Sequence, residues 1–169
     1  MKLKKLLVSM LTIGALSCSM VAFAGCNKGA SLTQGMILSY ELSEDGAYYI
    51  LTKAKNPFGA DSVIIPNDYM GKSVREIGST AFADCDNLTS VIIPDSITSI
   101  GNFAFADCDS LTSVLIPDGV TSIGSCAFWK CENLTSVMIG NSVMRIGPDA
   151  FRECGNLTSI VLPDSVKKS

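Results

Sequence analysis

Histidine is absent from this 169-residue chain. That removes the commonest general base, so Ser–His and Cys–His couples and imidazole-held metals are excluded. Charge is also sparse, at 17% of residues, with 13 basic against 16 acidic side chains and no basic run. DNA and RNA partners need a concentrated positive footprint, and none exists here. Neither a G-x-G-x-x-G nor a P-loop spacing occurs, which leaves no phosphate cradle. Aromatic residues reach only 7%, with a single tryptophan. Apolar residues make up 47% of the chain, ample for one core. Carboxylates are present, but only at turns that recur, and an enzyme is not expected.

What the chain does contain is a 23-residue unit repeated four times without a gap. It starts Ile77-Gly78-Ser79-Thr80-Ala81-Phe82 and restarts at Ile100, Ile123 and Ile146. The units are 77–99, 100–122, 123–145 and 146–168. A fixed period of this size means supersecondary units that bury their apolar faces only by stacking, as in a solenoid. The columns Leu88-Val91-Ile93, Leu111-Val114-Ile116, Leu134-Val137-Ile139 and Leu157-Ile160-Leu162 mark a short strand with its core face inward. Alternation turns Ser90 and Ile92 and their copies outward. Pro94, Pro117 and Pro163 end the strands, since proline cannot donate to a ladder. Gly78, Gly101, Gly124 and Gly147 mark a bend too tight for a side chain, and the Ala-Phe segments start short helical or irregular turns.

Upstream, Val63-Ile64-Ile65-Pro66 repeats Val91-Ile92-Ile93-Pro94 and makes residues 63–76 a degenerate leading repeat. It carries five extra residues, including Tyr69, Met70 and Gly71, expected to protrude as a loop. A deep pocket at that loop would be the one sign of an enzyme. Residues 36–62 begin with two β-rich runs flanking Ser43-Glu44-Asp45-Gly46, read as an N-terminal hairpin cap. Residues 26–35 are small and polar, a tether. Lys2, Lys4, Lys5 and the apolar stretch Leu6–Phe23 form an export signal over 1–25. Phe23-Ala24-Gly25-Cys26 resembles the bacterial lipobox, with Cys26 as the lipidated residue. Ala22-Phe23-Ala24 equally satisfies ordinary secretion. Cleavage there leaves a net charge of −6, so any membrane association would come from the lipid.

The Ile-Gly…Ala-Phe…Cys…Leu-Thr-Ser-Val-x-Ile-Pro-Asp-Ser-Val frame closely resembles the BspA-like leucine-rich repeats of bacterial surface proteins. The Tyr40–Ile50 segment is similar to the N-terminal hairpin those proteins carry, and the resemblance covers residues 36–168. It implies an α/β, β-rich leucine-rich repeat solenoid, secreted or surface-attached, that binds in the manner of an adhesin and shares no catalytic residues.

Several columns could carry chemistry. Cys85, Cys108, Cys131 and Cys154 align, and buried thiols acting as small hydrophobes are expected over disulfides or a metal. Cys126 lies outside the column and is the thiol expected to be exposed or paired. The acidic turns around Asp84-Cys85-Asp86 and Asp107-Cys108-Asp109 break their pattern at Lys130 and Gly155, and read as solvated turns. Asn87, Asn133 and Asn156 satisfy the glycosylation sequon, yet are expected to bond their own turns. No metal or other cofactor is expected.

The outward residues Ile92, Leu115, Met138 and Val161, flanked by Ser90, Ser113, Ser136 and Ser159, form the expected binding face. Trp129 is a peripheral hot-spot candidate. The partner would be an extracellular protein or glycan, host-derived ones included, with no nucleic acid. Self-association, to a homodimer or a cell-envelope assembly through the C-terminal edge at Ile160-Val161-Leu162, is the alternative.

Overall fold

The 23-residue period is the register of the sheets. A computed structural model describes residues 20–21, 28–56 and 59–166. The export signal and Cys26 therefore lie outside the described residues, apart from β1 (Met20–Val21). Strands β2 (Lys28–Thr33), β3 (Met36–Leu42) and β4 (Tyr49–Lys55) form an antiparallel meander. β5 (Ser62–Ile64), β6 (Asp68–Tyr69) and β7 (Lys72–Ile77) follow. The repeats then alternate β8 (Ser90–Ile92), β10 (Ser113–Ile116), β12 (Ser136–Ile139) and β14 (Ser159–Val161) with β9 (Ser99–Ile100), β11 (Ser122–Ile123) and β13 (Arg145–Ile146).

Two parallel walls result. Ser113 pairs with Ser136 and Ser136 with Ser159 on one wall; Ser99 pairs with Ser122 and Ser122 with Arg145 on the other, each offset 23 residues. Ser62 pairs with Ser90, an offset of 28, and the five extra residues lie between those strands. Val91, Val114 and Val137 point inward with Leu88, Leu111 and Leu134, all buried. Pro66, Pro94, Pro117 and Pro163 stop β5, β8, β10 and β14 where a donor would be missing, while Gly140 follows β12.

Among the described residues there is no helix, so of the helical or irregular turns expected in the β-rich repeat solenoid, the irregular kind is found. The reason is in the Ala-Phe turns. Thr80, Phe103, Cys126 and Asp149, and again Asp84, Asp107, Lys130 and Glu153, have φ between 54 and 62°, so each turn is broken twice by a left-handed residue. The N–H groups of Thr80, Phe82 and Asp84 donate to Asn102, Ala104 and Ala106 of the next coil, and not up a helix axis. Stacked coils bring Phe82, Phe105, Phe128 and Phe151 into a parallel ladder, with ring centroids 4.9, 5.1 and 5.3 Å apart. Coil contact also explains the glycines: a Cβ on Gly147 would lie 2.4 Å from the Ser125 nitrogen. Close approach, not positive φ, is what demands glycine there.

Residues 26–35, expected as a tether, include β2 instead, which pairs with β3 along its whole length. Its sequence has no period because both partners are supplied by the fold. The Tyr69–Gly71 insertion does not protrude as an open loop. It folds into the β6–β7 hairpin, turned by Met70 and Gly71 at φ 50 and 79°, and plants Tyr69 in the core. Tyr69 stacks on Tyr40 at 4.3 Å and meets Tyr49 edge-on at 5.1 Å. This aromatic cluster fills the interior beneath the β6–β7 hairpin. β4 pairs in parallel with β7, so the N-terminal meander and the repeats share one sheet.

Candidate binding face

Strands β8, β10, β12 and β14 expose what their pleat turns away from the core. Ile92, Leu115, Met138 and Val161 are 56, 59, 62 and 63% exposed. Leu115 lies opposite Met138, and Met138 opposite Val161, in register. The column begins one coil earlier than sequence reading placed it: Ile64 is 43% exposed and pairs with Ile92. The signal for it was present, because Ile64 occupies the Ile92 position of the leading repeat. The flanking Ser90, Ser113 and Ser159 are exposed and Ser136 is partly so.

The neighbouring threonines do not add free hydroxyls to this face. Thr89 donates to the Asp61 carbonyl at 2.8 Å, and Thr112, Thr135 and Thr158 each donate to the threonine one coil back. Their side chains bind coil to coil. The column itself holds no ionisable group, so apolar contact and serine hydroxyls are what it offers a partner.

Trp129 is separate from this face. It lies half-buried in a turn, with the Lys130 ammonium 5.7 Å from its ring centroid. Lys130 also pairs with Asp107 at 2.8 Å.

The cysteines form an interior column. The Cys108, Cys131 and Cys154 thiols donate to the carbonyls of Phe82, Phe105 and Phe128 at 3.2, 3.1 and 3.0 Å. Burial pushes the Cys85 thiol up to about 11 and raises Cys108 as well. Protonated thiols are poor nucleophiles and poor metal ligands. Among the described residues no cluster of acidic or cysteine side chains is placed to hold a metal. Cys126 is a free thiol, half-buried. The sequon asparagines depart from expectation: Asn133 and Asn156 donate to Asp109 and Glu132 of the preceding coil, each at 2.8 Å, not to their own turns.

Residues 60–169 match the BspA type leucine rich repeat region in six copies. The chain belongs to this family. Among solved structures, this BspA-type chain is similar to a leucine-rich repeat protein of Bacteroides capillosus, with 28% identity and a TM-score of 0.68 over 78% of this chain and 96% of that one. It is similar to the T. pallidum leucine-rich repeat protein at 28% identity and a TM-score of 0.61, covering 75 and 69% of the two chains. A leucine rich cell surface protein of Faecalibacterium prausnitzii matches at 29% identity and a TM-score of 0.55, over 73% of this chain but only 37% of its own. No curated protein matches the sequence. Membership supports repeat-mediated protein interaction, and leucine-rich repeat proteins are generally non-enzymatic binders.

Proposed function

We propose that this chain is a non-enzymatic binding protein of the bacterial cell surface that holds an extracellular protein on its apolar strand face. The observation that carries this reading is the column of Ile64, Ile92, Leu115, Met138 and Val161, exposed on successive coils and in register within the β5–β8 pair and within the β10–β12–β14 sheet. Fully burying one such side chain recovers about 1.5–3 kcal/mol. Several together offset an association cost on the order of 4–15 kcal/mol, which no single contact could. Leu115 and Met138 are central, where desolvation is most complete and energetic weight concentrates. A polypeptide partner fits a long, uncharged, shallow surface better than a glycan, which needs dense hydrogen bonding.

Export rests on the N-terminal segment, with Cys26 as the anchor and plain secretion as the alternative. The surface description of the Faecalibacterium relative supports it. A diacylglyceryl mass on Cys26, lost with release to the medium in Cys26→Ala, is the expected result; an unmodified Cys26 removes the anchor.

The binding test compares the protein with its Leu115→Asp variant across extracellular proteins, host matrix proteins included. Saturable binding that weakens at least tenfold in the folded variant is expected. Equal binding by both would remove the strand face as the site. If nothing on the panel binds while mass rises with concentration, self-association replaces the proposal.

A further inference from the structure

The turns of the coils, away from the exposed strand column, carry a departure from the repeat. In the turns, Ala81, Phe82 and their copies are the same in all four units, so the inward packing is already satisfied. Two of the variable outward positions become aromatic. Phe103 stands where the other repeats have Thr80, Cys126 and Asp149, and Trp129 stands where they have Ala83, Ala106 and Arg152. Phe103 gains little burial by being aromatic: it is 41% exposed, and no other described aromatic residue is as open. The backbone does not favour it either, since φ is 56° and a bulky residue in the left-handed region is an outlier. Neither core nor turn asks for this ring, and strain of this kind gathers at functional sites.

Phe103 and Trp129, on adjacent coils, line one cleft of about 270 Å³ with Cys126, Asp149, Arg152 and Glu153. Small-molecule sites start at roughly 300 Å³, so this one takes a single ring and not a strand or helix. Its charges narrow the ligand further. Arg152 is shared between Asp149 at 3.7 Å and Glu153 at 3.5 Å, which leaves no spare cation for an anionic group. The Trp129 ring already has Lys130 against it, which occupies its cation site. What remains is two aromatic surfaces beside carboxylates that accept and a guanidinium that donates. A pyranose ring matches both parts, with C–H groups on its faces and hydroxyls around its rim. A proline ring of a peptide would satisfy the aromatics and use none of the rim's remaining lone pairs and N–H groups.

We propose that the cleft between Phe103 and Trp129 binds a neutral hexose unit of a glycan. The site is independent of the apolar strand face, and the protein would hold two unlike ligands on two sides of one solenoid. Trp129 is the single tryptophan of the chain, so its emission reports on the cleft alone. The test titrates the purified protein with maltohexaose, cellohexaose and mannohexaose, reading Trp129 fluorescence and heat. A saturable response to at least one of them is expected, unchanged by Leu115→Asp. Phe103→Asn should weaken it tenfold or more while the fold persists, because asparagine tolerates the left-handed backbone better than phenylalanine. Trp129→Ala, followed by heat, should do the same. No saturable response to any of the three sugars would overturn the proposal, as would full affinity in folded Phe103→Asn.

Discussion

The repeats and the N-terminal unit solve one problem in opposite ways. Within the repeats each coil is covered by a copy of itself. Phe82, Phe105, Phe128 and Phe151 stack with interplanar angles of 7, 3 and 5°, like on like. At the N-terminal end there is no earlier copy to use. Tyr40, Tyr49 and Tyr69 come from three different strands and meet both stacked and edge-on, at 18, 75 and 84°. A periodic interior templates itself, whereas its end needs sequence that obeys no period. In a solenoid, stability then sums over units and their interfaces.

That contrast can be broken at either end. Phe105→Ala removes a ring held between two others, and a cost of about 4 kcal/mol is expected from the lost transfer and the cavity. A lowered urea midpoint measures it, and a loss below about 1 kcal/mol would mean that the ladder relaxes around the gap. Tyr69→Ala should cost about 3 kcal/mol, mostly spent locally. Hydrogen exchange is expected to quicken over residues 36–56 and 62–77 and to stay slow over 113–146. Uniform quickening would show end and repeats to be one cooperative body, and the distinction drawn above would fail.

The same contrast decides what could be read from sequence. Four copies in one frame make the inward columns, strand ends and offset legible, because each position recurs four times in its role. The strand β2 was not legible: Lys28–Thr33 offers only Ala30 and Leu32 as apolar residues, too little alternation to mark a strand, and its pairing comes from β3. Tyr69 was read as part of a protruding insertion, since nothing local says that a tyrosine beside Met70-Gly71 folds back onto Tyr40. Of the helical or irregular turns that the sequence allows, the structure holds the irregular kind. Ala-Phe-Ala favours helix locally, but left-handed backbone at Thr80 and Asp84 is imposed by hydrogen bonds to the next coil. Of the candidate binding face, the column from Ile92 to Val161 is legible as an outward stripe, while Phe103 is not, because Thr80, Cys126 and Asp149 at the same position give no sign of an aromatic site.

The smallest expected effect is chemical, and it probes the seam between the two regions. Cys85 belongs to the first full repeat, with Lys53 of the N-terminal unit near enough to favour its thiolate slightly. Burial outweighs that and lifts the thiol to about 11. Unfolded thiols ionise near about 8.5, so the folded state holds this proton more tightly than the unfolded chain does. The stability linked to it is intact below the unfolded value and drains away as pH climbs towards about 11. Iodoacetamide labelling of the native protein follows the same window. The Cys85 rate should rise about tenfold per pH unit and level off only near the folded value, since the thiolate is the reactive species. Cys108, one coil further in and fully buried, should lag behind Cys85 throughout. Equal rates would mean that the seam is no more open than the interior. Rapid labelling of Cys85 at pH 8 would mean that the N-terminal unit leaves the first coil uncovered.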